Sequence, residues 1–243
     1  MRLSKAWIVA SKEFKTFAKR KSILYSIIYF EAAVSIGIPF IVRFVAGKPA
    51  GTLALPTLLN AFSFLYVIGA ALAPVGIASY SLIGEKVQKS LEPLLATPTT
   101  DEEILAGKSF AAFLPAISAN ILGALAFMVL TDLFTYRTLK YYYFPDWNIA
   151  IILFLLAPLA CLLSVGYNVL ISARVNDIRT AQQLGTLILL PFGAVYFLSE
   201  LKVLTLTTDN MLIMAAVLLA IDAVVFTLAK AAFQREEILT KWK

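Results

Sequence analysis

An all-α integral membrane protein with six transmembrane helices is the fold that three properties of this sequence predict. Of its 243 residues 60% are hydrophobic, only 15% are charged, and the apolar residues gather in six long runs. A mean hydropathy of +0.83 is too high for a soluble domain, whose surface must be polar. One transmembrane domain, 1–243, is therefore expected, built from membrane spans and elements lying against the membrane.

Residues 1–21 come first. Leu3, Trp7, Ala10, Phe14 and Phe17 recur at steps of four and three, with Lys5, Lys12, Lys15 and Lys19 largely on other faces. This pattern predicts an amphipathic helix along the membrane surface, its lysines toward anionic headgroups. A span needs about 20 apolar residues. Six runs meet that length: 22–42, 56–83, 109–131, 149–172, 181–199 and 211–232. Pro39, Pro74, Pro115, Pro158 and Pro191 fall inside them as candidate kinks. Between the third and fourth spans, Tyr136, Tyr141, Tyr142, Tyr143, Phe144 and Trp147 suit the headgroup level. The connection 200–210 contains the apolar VLTLTT, too short to cross, and reads as a small re-entrant or interfacial element; 233–243 is a tail.

Orientation follows from the basic residues, which are retained on the cytoplasmic side. With the N-terminus inside, the inner segments hold seven in 1–21, then Lys86, Lys89 and Lys108, then Arg174 and Arg179, then Lys230, Arg235, Lys241 and Lys243. The outer segments hold Arg43, Lys48, Arg137, Lys140 and Lys202. Sixteen against five predicts both termini in the cytoplasm, in a multi-pass protein of the plasma membrane. A cleaved signal peptide is not expected, because the first apolar run is of spanning length and no small-residue cleavage site follows it.

The composition also narrows the chemistry. There is no histidine, so imidazole acid–base catalysis and histidine metal sites are absent, and no acidic cluster at one depth suggests a membrane enzyme. Cys161 stands alone in an apolar run and reads as a small buried side chain. The net charge of +6 is distributed as membrane topology requires, not as a nucleic-acid-binding patch.

The most polar stretch, LLATPTTDEEILAGKS (94–109), ends in Gly107-Lys108-Ser109, as a phosphate-binding P-loop does. That motif needs a glycine five positions earlier, where this chain has Glu102, whose carboxylate would face the phosphates. Thr99-Thr100-Asp101-Glu102-Glu103 reads instead as a capped helix start with acids in its first turn. Upstream, Leu91, Leu94 and Leu95 share one helical face, with Lys86, Lys89 and Glu92 on others. The loop 84–108 is thus either an ordinary solvated connection or a short helix shaped to dock in a groove of another protein.

Glu85, Leu91, Glu92, Leu94, Leu95, Thr97, Pro98, Gly107 and Lys108 give this loop a pattern that resembles the permease subunits of ABC-2 type ABC transporters. There the first cytoplasmic loop reads E-x-x-x-G-T-L-E-x-L-L-x-T-P, followed by an acidic stretch and a Gly-Lys pair. SARVNDIRTAQQLGTLILLP (172–191) and FQREEILTKWK at the C-terminus add to the resemblance, which covers essentially the whole chain. Lys89-Ser90 replaces the usual Gly-Thr, and Pro93 interrupts the leucine face, so the docking helix is divided or starts near Leu91. The resemblance implies a non-catalytic exporter subunit that pairs with a second permease chain, identical or different, and with two copies of a separate ATPase that binds ATP and Mg. It makes the loop a coupling helix and residues 1–21 a connecting helix beside it. Leu91, Leu94 and Leu95 would supply buried contact with the ATPase, while Glu85, Glu92, Asp101, Glu102 and Glu103 would meet its basic groups.

Two acids lie within spans, Glu31 in the first and Asp222 in the sixth. An ionised acid at that depth costs about 2.5–3.5 kcal/mol, so each is expected to face the bundle interior, pair, or be protonated. They are either contacts lining a path for a cation or substrate, or partners in structural hydrogen bonds through Asn60, Asn120 or Asn168, the commoner case. Two alternatives to the permease stand: an ion-coupled secondary transporter using Glu31 and Asp222, and a membrane anchor or transducer for an ATPase.

Overall fold

The computed structural model describes residues 2–19, 21–46, 51–87 and 99–232. Regular structure among them is helical: α1 (Leu3–Ala18), α2 (Lys21–Ala32), α3 (Ile38–Ala46), α4 (Gly51–Val87), α5 (Asp101–Leu139), α6 (Trp147–Ile151), α7 (Ala157–Arg174), α8 (Ile178–Thr186), α9 (Leu189–Glu200) and α10 (Thr208–Ala232). Among the described residues six helices are long and apolar enough to cross a membrane: Ile27–Ala46, Leu55–Glu85, Asp101–Leu139, Trp147–Arg174, Ile178–Glu200 and Thr208–Ala232. They are numbered below as spans one to six. The third continues beyond the apolar run 109–131 at both ends, because a capped acidic turn begins it at Asp101 and nothing breaks it before Lys140.

Spans two and four form the centre. Within their apolar windows 72% and 61% of residues are buried in the protein, against 17% for span six, whose Ile213, Val217, Val224 and Phe226 face outward. Leu59, Phe64, Phe127, Ile152 and Leu156 fill one core. A second core, nearer α1, is rich in small residues, among them Ala70, Ala73, Ala78, Ala111, Ala112, Ala116 and Ala157. Small side chains let helix backbones approach where lipid removes the hydrophobic drive for association. The end of the bundle where α1 packs is called basal here, and the opposite end distal.

The prolines act locally. π-helical turns at Ala33–Gly37 and Ile152–Leu156 each end two residues before a proline, Pro39 and Pro158. A wider turn relieves the clash between a proline ring and the carbonyl one turn back. Span five is broken at Leu187–Ile188, four and three residues before Pro191, where the Leu187 and Leu190 amides turn to carbonyls three residues back. Pro74 and Pro115 lie inside continuous helix.

The helix ends are explicit. Span five starts on Asp177, which accepts from the Thr180 amide and hydroxyl, both at 2.9 Å. Those bonds hold its carboxyl below the usual carboxylate range. At its other end Lys202 takes a left-handed conformation (φ 58°), its amide donating to Ser199 O and that of Val203 to Leu198 O. This is a Schellman cap. Residues 201–207 are consequently a turn and an extended stretch, with no helix before Thr208 and so no re-entrant helix.

The aromatic loop divides. Tyr141, Tyr142 and Trp147 are exposed, as an interfacial belt requires, whereas Tyr143 and Phe144 turn in over the distal end. Asp132 accepts from both of their amides, at 3.0 and 3.2 Å, and the Tyr143 hydroxyl bonds Pro56 O and Asn60 Oδ1. Asp132→Ala would leave two amides without their acceptor. The expected loss is about 1–3 kcal/mol, read as a lower thermal midpoint in lipid nanodiscs together with faster hydrogen exchange at Tyr143 and Phe144.

Candidate functional site

The basal end gathers most of the charged side chains that the sequence singles out. Span three begins with a capping box: Thr100 Oγ1 accepts from the Glu103 amide at 3.3 Å, and Glu103 Oε2 from the Thr100 amide at 3.1 Å. The other Glu103 oxygen accepts from the amide of Arg2, the residue preceding α1, at 2.7 Å. One buried carboxylate therefore serves the positive ends of two helices.

One turn further on lies Gly107. A Cβ there would stand 2.6 Å from the Ala6 carbonyl oxygen and 2.8 Å from Val9 Cβ. Glycine is what lets α1 rest directly on span three. The face of α1 that does so is Ala6, Val9, Ala10, Glu13 and Phe17. Of the apolar stripe read from the sequence, Ala10 and Phe17 are buried against the bundle and Trp7 lies on the protein surface. Small residues fit against Gly107, while Trp7 turns outward and packs on Phe14 and Phe110 at ring separations of 6.3 and 6.0 Å.

Lys108 is the centre of the site, with only 3% of its surface exposed. Its ammonium donates to Glu13 Oε1 and to the Ser81 carbonyl, both at 2.8 Å, and lies 2.7 Å from Glu85 Oε2. Lys12 pairs with the other Glu85 oxygen at 3.1 Å. Two ammonium groups and two carboxylates make the cluster neutral; the hydrogen bonds of Lys108 go to Glu13 Oε1, Ser81 O and, at 3.3 Å, Ser81 Oγ, while Glu85 Oε2 meets it as an ion pair without a hydrogen bond. Gly107-Lys108 is thus a seat for α1, one residue giving room and the next the ionic centre.

The sequence-predicted residues separate accordingly. Glu85 and Glu103, expected to meet a partner, bind α1 within this chain. Glu102 pairs with Lys230 at the end of span six, both about half exposed. Asp101 is in the first turn of span three, and Lys86 in the last turn of α4. Lys89, Leu91, Glu92, Leu94 and Leu95 lie outside the described residues, as does FQREEILTKWK. Glu13 was not anticipated. Its signal was available: it is the one acid in the first 30 residues, and it stands three and four positions from Ala10, Val9 and Phe17, in the middle of the packed face.

The polar groups within the spans resolve into separate contacts. Asn120 donates to Glu31 Oε1 at 2.9 Å and to Tyr66 O at 3.0 Å. Asn168 does not reach either acid; it accepts from Ser79 at 3.0 Å and donates to Ser164 O at 2.8 Å, with Gly185 of span five leaving room for its side chain. Asn60 belongs to the distal end through Tyr143. Asp222 Oδ2 is buried and finds no hydrogen-bond donor among the described residues. Cys161 is fully buried. Among the described residues no three acidic or thiol side chains converge as a metal centre needs.

No protein-family model matches the chain, and no curated protein matches it significantly.

Lys108→Met would leave Glu13 and Glu85 facing each other without their shared cation, at an expected cost of about 3–5 kcal/mol in thermal or denaturant unfolding. Adding Glu13→Gln and Glu85→Gln should restore much of it. Gly107→Ala should lift α1 without disturbing the spans, seen as proteolysis and hydrogen exchange that rise in residues 3–18 alone.

Proposed function

We propose that this chain is the transmembrane permease subunit of an ABC-2 type transporter, an exporter of the plasma membrane with both termini in the cytoplasm. On this reading the basal end is cytoplasmic, in keeping with the concentration of lysine and arginine there. The observation that carries the proposal is the double fastening of the segment between spans two and three. On one flank Glu85 is paired with Lys12 and Lys108, and on the other Glu103 holds the Arg2 amide, so both flanks are tied to α1. A docking element between them would pass a push from a partner to α1 and to spans two and three together.

Leu91, Leu94 and Leu95 are assigned to contact with the ATPase, whose bound ATP and Mg supply the chemistry; this chain supplies none. Glu92, Asp101 and Glu102 would orient the partner, with Lys86 and Lys89 beside them. The Glu102–Lys230 pair is exposed enough to open at little cost when a partner arrives. Glu85 and Glu103 act by positioning. Two ATPase copies and a second permease chain complete the assembly. Glu31, Asn60, Asn120 and Asn168 are bonded within the bundle, which favours a scaffold role, and Asp222 remains the acid available to line a path.

Leu94→Asp or Glu92→Arg in a tagged chain, isolated from its native membranes, should abolish co-purification of ATPase activity and stop transport, with insertion and yield unchanged. ATPase recovered in normal amounts with both variants would refute the proposal.

A further inference from the structure

Glu31 sits in span one, 5% exposed, against spans two and three. Asn120 donates to its Oε1, but its Oε2 is buried and has no hydrogen-bond partner among the described residues, and the same holds for Asn120 Oδ1. Two acceptors in one cluster therefore lack a hydrogen. The surrounding groups do not supply it. The Tyr66 hydroxyl is committed between Ser35 Oγ, at 3.1 Å, and the Gly123 carbonyl, at 3.3 Å. The ion pairs among the described residues join Lys12, Lys108 and Lys230 to other acids. Arg43, about three turns along span one, lies over the Phe134 ring. Of the groups recorded against Glu31, only Tyr66 can titrate; Asn120, Ser35, Gly69 and Gly123 cannot.

The space is as telling as the charge. A Cβ at Gly69 would come 2.8 Å from Glu31 Oε1, and one at Gly123 would come 2.9 Å from Oε2 and 2.8 Å from Ser35 Oγ. The carboxyl is clamped between two glycines with less than a methyl group to spare on either side. A metal cation would need about six oxygens arranged around it, which this clamp does not offer. A proton needs no volume, and placed on Oε2 it turns an unmatched acceptor into a donor.

We propose that Glu31 is a proton-binding site: the carboxyl is held as a neutral acid that clasps span one to spans two and three. The clasp lies just before the π-helical turn Ala33–Gly37, which brings Ser35 to Tyr66. The inference does not rest on the transporter reading. Its stabilising effect is full at acidic pH, below the ordinary glutamate range, and fades as pH rises from that range until the folded acid itself ionises, because the ionised form is better accommodated once the bundle has opened.

The test uses the full chain in lipid nanodiscs, with carbon-13 label in the glutamate carboxyls. The expected result at neutral pH is an infrared carbonyl band of a protonated acid that shifts with the label, which excludes Asp132 and Asp222, and that is lost in Glu31→Gln. Glu31→Gln should match the wild-type thermal midpoint at mildly acidic pH and lack the wild-type fall as the pH is raised from there to neutral; Glu31→Ala should lower the midpoint already at acidic pH. Only ionised glutamate at neutral pH, or a labelled band that survives Glu31→Gln, would overturn the proposal. If Glu31→Gln does not fold, Glu13→Gln and Glu85→Gln decide: the labelled band should persist in both, and its loss in either would overturn the proposal.

Discussion

A lysine ammonium can be buried only where acceptors surround it, and the Lys108 side chain meets that demand by drawing on three helices at once. Glu13 comes from α1, Ser81 and Glu85 from α4, and the lysine itself from α5. Fixing one atom against all three settles where α1 lies, how deep its packed face sits, and how α4 and α5 meet at their basal ends. Such a cluster adds little net stability compared with apolar packing, since desolvation offsets most of the attraction. What it supplies is position: a one-residue slip of α1 would carry Glu13 about 100° round the helix and away from its cation.

Elsewhere the bundle uses the same economy of polar contacts. Asn120 and Asn168 each join two or more helices, and Asn60 joins α4 to the aromatic loop. Lipid gives no hydrophobic reason for one apolar helix to prefer another, so packing of small residues and a few hydrogen bonds must select the neighbours. That explains why glycines occur beside the polar groups. Gly69, Gly123 and Gly185 provide the room for Glu31 and Asn168, and Gly107 provides it for α1.

Much of this was legible in the sequence. The six spans follow from run length, and the start of span three from Thr100 and the acids after it. Glu31 and Asn120 could be named as candidates for contact because polar groups in lipid need partners. The pairing was less legible, since Asn60, Asn120 and Asn168 are equivalent in sequence terms and only helix rotation shows which one meets Glu31. Which face of α1 packs on the bundle was less legible for a related reason: hydrophobicity ranks Trp7 above Ala6, but a surface with a glycine at its centre selects the smaller side chain. Lys108 counts toward orientation in a tally of charges, and nothing local to it reveals that its partners lie 23 and 95 residues away.

That last separation bears on how the protein is made. α1 leaves the ribosome 95 residues ahead of the lysine that will neutralise Glu13, an interval of about 5–20 s at ordinary rates of synthesis. Throughout it the helix carries an unmatched acid on the face it will later bury, and a pair of spans must be inserted before its seat exists. The element earliest in the described chain is therefore among the last to reach its place, waiting while the bundle that receives it is assembled.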